Sequence, residues 1–340
     1  MLISRTPFRI SFVGGGSDLP SFCDRQRGAV LSVTIDKAMY LTLHPYFDRN
    51  KTLLRYSRTE LVSRIDEIEH PIYREALRMF GINGGLEISS SADVPSGTGL
   101  GSSSSFTVGL LHVLAAYQSR YPSQEFLGAT ASTMEIDILK EPIGRQDQYA
   151  AAYGGLNLIE FSSNGEVRVE PLSVKRETMM ALEQRLLMFY TGGQRATRSI
   201  LADQSEGIAS DSDKFKATEQ MVSLVYEMRD ALYAHDMKAF GDLLNRNWEL
   251  KRNLSKHISN PQIDSAYNRA MEAGALGGKL LGAGGGGFLL VFADPCTHTA
   301  VRQALSEMDE LPIKLSRTGS QIVFSDGVVV DARGFIGGVS

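Results

Sequence analysis

The chain has 340 residues, 43% hydrophobic and 22% charged, a globular balance that excludes wholesale disorder and a fibre. Lys and Arg number 35 against 39 Asp and Glu, a net charge of −4 with no basic block, which argues against a general nucleic-acid surface. The two cysteines, Cys23 and Cys296, are too few and too far apart for a disulfide framework or a zinc site.

The opening MLISRTPFRIS is too short and too charged for a signal peptide, so a soluble cytoplasmic protein is expected. Residues 3–13 read as a strand, ended by the turn Gly14-Gly15-Gly16-Ser17-Asp18. The β-branched runs of 30–45 read as two strands around Asp36-Lys37. A strand at 53–56, a helix at 71–80 and a strand at 86–92 follow. Apolar residues 106–117 form a helix after Ser102 to Ser105, which are strong N-cap residues. Residues 126–140 make a helix bearing Glu135 and Asp137, and RQDQYAAAYGG a short one closed by Gly154-Gly155. Residues 156–161 and 167–169 pair around Asn164-Gly165.

A boundary near 173–177 divides the chain into domains 1–175 and 176–340. The second has a buried strand at 186–190, a polar loop at 203–216 and a helix pair over 217–257 broken near His235-Asp236. A strand at 288–292 and a helix at 300–308 complete it. The pattern predicts an α+β fold of two layered units meeting at a cleft.

The segment Pro95-Ser-Gly-Thr-Gly-Leu-Gly-Ser-Ser-Ser104 runs straight into an apolar helix. Glycines let backbone approach a ligand, and a helix N-terminus offers unpaired N–H groups at the positive end of its dipole, which suits a phosphate. The bland alternative is a loop with a serine cap. Walker A spacing fails, because Ala273 and Leu280 stand where Gly and Ser or Thr are required. Gly282, Gly284 and Gly287 match a dinucleotide string, but in this reading they follow a helix and precede a strand, the reverse of a dinucleotide fold's strand-loop-helix. The run at 279–288 is then either a tight core turn or a second wall of the phosphate site.

Three glycine-rich motifs in this order, 5–18, 95–104 and 279–288, resemble those of the GHMP kinase superfamily. The resemblance implies a ribosomal-protein-like N-terminal domain, a ferredoxin-like C-terminal domain and ATP between them. Phosphate would be bound by Pro95, Gly97, Gly99, Leu100, Gly101, Ser102, Ser103 and Ser104, and Mg²⁺ by Ser103 and Glu135. Asp147 would be the base that takes a sugar hydroxyl's proton, with the motif-one Arg9 beside it. Gly15, Gly16, Ser17, Asp18, Gly284 and Gly285 would line the acceptor. The Glu-His pair of galactokinases is replaced by Gly15-Gly16, leaving room for a bulkier or differently held sugar.

Motif one is most similar to the branch that phosphorylates heptose 7-phosphates on the anomeric hydroxyl. An anionic acceptor needs a clamp, for which Arg195 and then Arg198 are the candidates, with Lys37 and Arg145 behind them. The expected partners are a sugar phosphate and ATP, with no nucleic acid or membrane, and a homo-oligomer left open. Another sugar-1-kinase, fucokinase-like or for an unphosphorylated heptose, and a dinucleotide oxidoreductase are the alternatives. Trp248 and His112 read as packed residues, and nothing near Cys23 argues for an activated thiolate.

Overall fold

The computed structural model describes residues 1–192, 197–327, 329–330 and 336–337, with side chains for 1–192 and 198–327. β1 (Leu2–Val13) alternates at its start and is then buried throughout, packed by helices from both halves of the chain. β2 (Gly28–Pro45) is one continuous strand where two were expected. Its register against β1 shifts across Asp36-Lys37, so a bulge stands where a turn was anticipated.

β3 (Thr52–Arg55), β4 (Thr59–Val62), β5 (Leu86–Ala92), β6 (Leu156–Phe161) and β7 (Val167–Pro171) extend the same sheet. A second, four-stranded antiparallel sheet holds β8 (Leu186–Tyr190), β9 (Ala275–Leu280), β10 (Phe288–Ala293) and β11 (Asp309–Glu310), in the order β11-β8-β10-β9. β12 (Leu315–Ser316) and β13 (Gln321–Ser325) then return to the first sheet, pairing with β2 and β1.

The helices are α1 (Pro20–Cys23), α2 (Pro71–Met79), α3 (Ser102–Tyr117), α4 (Gln124–Ser132), α5 (Gln146–Tyr153), α6 (Arg176–Gln184), α7 (Thr197–Ser210), α8 (Ser212–Tyr233), α9 (Met237–Arg252), α10 (Pro261–Glu272) and α11 (His298–Ala304). α3 is apolar nearly all round and buried against β1 and β2, as such a helix must be. One core spreads under the first sheet around Phe8, Ile10, Leu41 and Leu111, and another in the second half surrounds Trp248 and Tyr267. His112 is half-buried and bonded to Ser320 Oγ, a packing role as expected.

Three further expectations are corrected. The segment 203–216 is helical: α7 runs to Ser210, and Asp211 caps α8 by accepting from the amides of Asp213 and Lys214. Its serines and charged residues are the outer face and the cap of helices, not a loop. Residues 126–140 split into α4 and a π-helical stretch, Thr133–Ile138. A strand, β9, and not a helix leads into the Gly282 run. That run turns straight into the antiparallel β10, so the strand-loop-helix of a dinucleotide site is absent here. Among the described residues no helix is long and apolar enough to cross a membrane.

Candidate active site

The phosphate-loop candidate folds as a sequence of left-handed glycines. Gly97, Gly99 and Gly101 have φ of +76°, +86° and +73°. Gly101 is the N-cap of α3, so the serines expected to cap the helix form its first turn instead. A Cβ on Gly99 would lie 2.5 Å from Leu281 O, one on Gly282 2.4 Å from Gly99 Cα, and one on Gly287 2.5 Å from Thr98 O. The two glycine runs are therefore pressed backbone to backbone, which answers why the third motif lacks side chains.

Arg9, from β1, reaches across this junction. Its Nε and Nη2 donate to the two oxygens of Asp147 at 2.7 Å each, and its Nη1 donates to Gly99 O at 2.7 Å. The fork fixes the carboxylate in one orientation, a bidentate arrangement lysine cannot make. Asp147 sits in the first turn of α5, and a Cβ on Gly101 would lie 3.3 Å from its Oδ2. The carboxylate thus borders the start of α3.

Glu135 is 1% exposed. Its oxygens accept from Ser103 Oγ (3.0 Å), Ser104 Oγ (2.8 Å), Thr107 Oγ1 (3.0 Å) and Gln148 Nε2 (2.6 Å). Burial pushes its carboxyl above the usual range, and these hydrogen bonds pull it back. The π-helical turns aim Glu135 at α3, an irregularity of the kind that accompanies functional positions. Among the described residues no group of three or more His, Cys, Asp or Glu gathers to hold a metal. Glu135 with Ser103 supplies hard oxygen donors, which fit a Mg²⁺ that takes its other ligands from phosphates and water.

A cavity of ≈ 290 Å³ lies between the two halves, bounded by Gly97, Gly99, Gly101 and Ser102 to Ser104 on one side and Gly15, Gly16 and Asp18 on the other. Asp18 accepts from Gly16 N, Gln146 N and Gln146 Nε2 (3.1, 3.3 and 3.0 Å). Burial, and then the charge of Asp147, raise its pKa. Lys251 of α9 also lines the cavity and donates to Gly282 O; burial, then the neighbouring Arg9, lower its pKa to about 8. The Cys23 thiol is pushed up to about 12 by burial and by Asp18, so it is no thiolate.

Several expected residues stand elsewhere. Ser17 is fully buried and exchanges hydrogen bonds with Ala29, tying the turn to β2. Leu100 is buried, its carbonyl accepting from Arg9 N, and Pro95 accepts from Thr98 Oγ1. A Cβ on Gly284 would strike Ile258 Cα at 2.5 Å, and Gly285 N donates to Ile258 O, so both serve a neighbouring loop while Gly282 and Ala283 reach the cavity. Lys37 pairs with Asp36 and Arg145 with Gly165 O, away from the cavity. Arg198 lines the cavity and pairs with Glu141 at 3.0 Å, while Arg195 lies outside the described residues.

The space over Gly16 is taken by Gln204, while Gly15 keeps room at the cavity. A Cβ on Gly16 would lie 2.2 Å from Gln204 Nε2, and one on Gly15 3.9 Å from Lys251 Nζ. Neither Gln204 nor Lys251 was singled out from sequence. Each is one polar residue on an amphipathic helix, with no local signal to set it apart.

Glycine loops at the buried start of a helix, facing a carboxylate held by an arginine, make the layout of a phosphotransferase. The chain matches the models "GHMP kinases N terminal domain" over residues 60–155 and "GHMP kinases C terminal" over 228–311. It is 30% identical to the D-glycero-alpha-D-manno-heptose 7-phosphate kinase of Campylobacter jejuni, over 89% of this chain and 92% of that one. It is 26% identical to the galactokinase of Pyrococcus furiosus, over 96% and 98%. A crystal structure of a D-glycero-D-manno-heptose 1-phosphate kinase from Bacteroides thetaiotaomicron superposes with a TM-score of 0.79 at 24% identity, covering 96% and 100%. The chain belongs to the GHMP kinase family, and within it is an ATP-dependent sugar kinase of two-domain α+β fold.

Proposed function

We propose that the protein transfers the γ-phosphoryl group of ATP to the anomeric hydroxyl of D-glycero-D-manno-heptose 7-phosphate, giving the 1,7-bisphosphate. The observation that carries the reading is the position of Asp147, fixed by Arg9 where the phosphate loop meets the acceptor wall. The similarity to the Campylobacter jejuni kinase supports the choice of sugar.

In this reading the backbone amides and hydroxyls of Gly97 to Ser104 hold the triphosphate, and Ser103 and Glu135 hold Mg²⁺. The metal supplies neutralisation of phosphate charge when bound. Asp147 accepts the hydroxyl proton as the sugar oxygen bonds to phosphorus, and the bond to ADP breaks with its electron pair leaving on ADP. Lys251 places a cation beside the transferring group, since Arg9 is occupied by Asp147 and Gly99. Residues 1–175 supply the nucleotide side and the Gly15-Gly16-Asp18 part of the acceptor wall, and 176–340 add Arg198, Gln204, Lys251 and Gly282 to that wall.

A second reading, an unphosphorylated sugar, is favoured by Arg198 being tied to Glu141 and so partly neutralised as an anion clamp. A panel of sugars and sugar phosphates with Mg²⁺-ATP, followed by ADP release, separates them. The heptose 7-phosphate is expected to give the highest kcat/KM, with Arg198→Ala raising its KM. Faster turnover of unphosphorylated sugars removes the phosphate-clamp assignment.

A further inference from the structure

The walls of the cavity differ in one respect. On the phosphate-loop side Ser103 and Ser104 each donate a hydroxyl to Glu135. Around the Gly15-Gly16 turn three polar atoms are buried without a partner among the described residues: Gln204 Nε2, Ser11 Oγ and Gln146 Oε1. All three residues line the cavity. Buried polar groups are almost always satisfied, so a cluster of one unspent donor, one unspent acceptor and one free hydroxyl calls for an explanation.

Gln204 is the most telling. It projects from α7, is 1% exposed, and has its amide nitrogen above Gly16, where any side chain would collide with it. Gly16 N in turn donates to Asp18 Oδ1. An unspent N–H donor and a carboxylate acceptor thus share the Gly16 turn. A hydroxyl group, which donates once and accepts as well, satisfies both, and a polyol supplies further hydroxyls for Ser11 and Gln146.

We propose that Gln204 of α7 is an acceptor-binding, specificity-determining residue that donates to a sugar hydroxyl bound also by Asp18, with Ser11 and Gln146 completing the set. The inference rests on the sugar-kinase reading and adds to it the donors that select the acceptor. It also gives α7 a role: the helix roofs the acceptor side, and Gln204 lies over a Gly16 whose φ of +104° already favours glycine.

The test compares wild type, Gln204→Leu and the near-isosteric Gln204→Glu on the best sugar of the panel and on its monodeoxy analogues. Acceptor KM should rise roughly tenfold or more in both variants, with the KM for ATP and the melting temperature little changed. One deoxy analogue should lose about tenfold in the wild type and nothing further in Gln204→Leu, a cancellation that a merely structural residue would not produce. Unchanged acceptor KM in two folded, active variants overturns the role of Gln204 while leaving the kinase reading intact. A wild type that phosphorylates no sugar overturns both.

Discussion

Asp147 is ionically paired yet exposed on its cavity edge, its side chain 25% accessible, so it is oriented without being sealed off. Asp147→Asn keeps the shape and one hydrogen bond to Arg9 but removes the proton acceptor. Turnover is expected to fall by roughly 10²–10⁴ with nucleotide affinity retained, measured by ADP release and by nucleotide titration. Retained kcat would take the base role away from Asp147.

Lys251 yields a pH prediction with two signs. Its folded pKa of about 8 lies below the unfolded value, so between pH 8 and the usual lysine range the unfolded chain binds more protons and stability rises with pH. Activity runs the other way, because the ammonium loses its charge above about pH 8 and with it the attraction for phosphate. Lys251→Met should therefore melt higher at pH 7, turn over more slowly, and lose the basic limb of the pH–rate profile. An identical limb in the variant would assign it to another group.

At the scale of elements, the phosphate loop is built by contact between two backbones that carry no side chains. Gly282→Ala would put a methyl 2.4 Å from Gly99 Cα at a φ of +75°, forcing the third motif away from the second. Strain and displacement together should cost about 1–3 kcal/mol or more and raise the KM for ATP, read by thermal melts and kinetics. Gly81→Ala is the control, with a positive φ and open space around it, and should leave the KM unchanged.

The motifs themselves were legible because close backbone approach demands glycine and a helix start favours serine. Their backbone-to-backbone contact was not, since Gly99 and Leu281 lie in different halves of the chain. The π-helical turns at Glu135 were also invisible: a periodicity near 3.6 continues through them, and only Ser103, Ser104 and Thr107 across the gap give the widened turn its purpose. The loop read at 203–216 failed for a different reason. Its serines, glycine and acids suit a turn locally, but α7 and α8 bury Ile208, Thr218 and Met221 against the rest of the fold, and packing overrides weak propensity.

At the scale of the molecule, the two halves are interleaved. β1 and β2 sit inside a sheet that β12 and β13 complete, and Ser320 bonds both Thr6 and His112. A fragment ending at residue 175 would expose the β1 edge and leave Thr6 unpartnered at Oγ1. It is expected to aggregate or lack a cooperative melt by circular dichroism, whereas a fragment that folds alone would show that the returning strands are dispensable.

The chain by itself marked the pieces we propose to bind phosphate, because that chemistry needs bare backbone next to a helix start, a demand expressed within ten neighbouring residues. It likewise marked Asp147, Arg9 and Glu135 through their motifs. Tertiary structure alone decided what stands opposite: Gln204, Lys251 and Ser11 come from separate elements, and no short-range pattern records that their polar atoms converge on one turn. Local propensity and backbone sterics act between neighbours in sequence, while an acceptor wall is a property of distances that exist only after the two halves have packed.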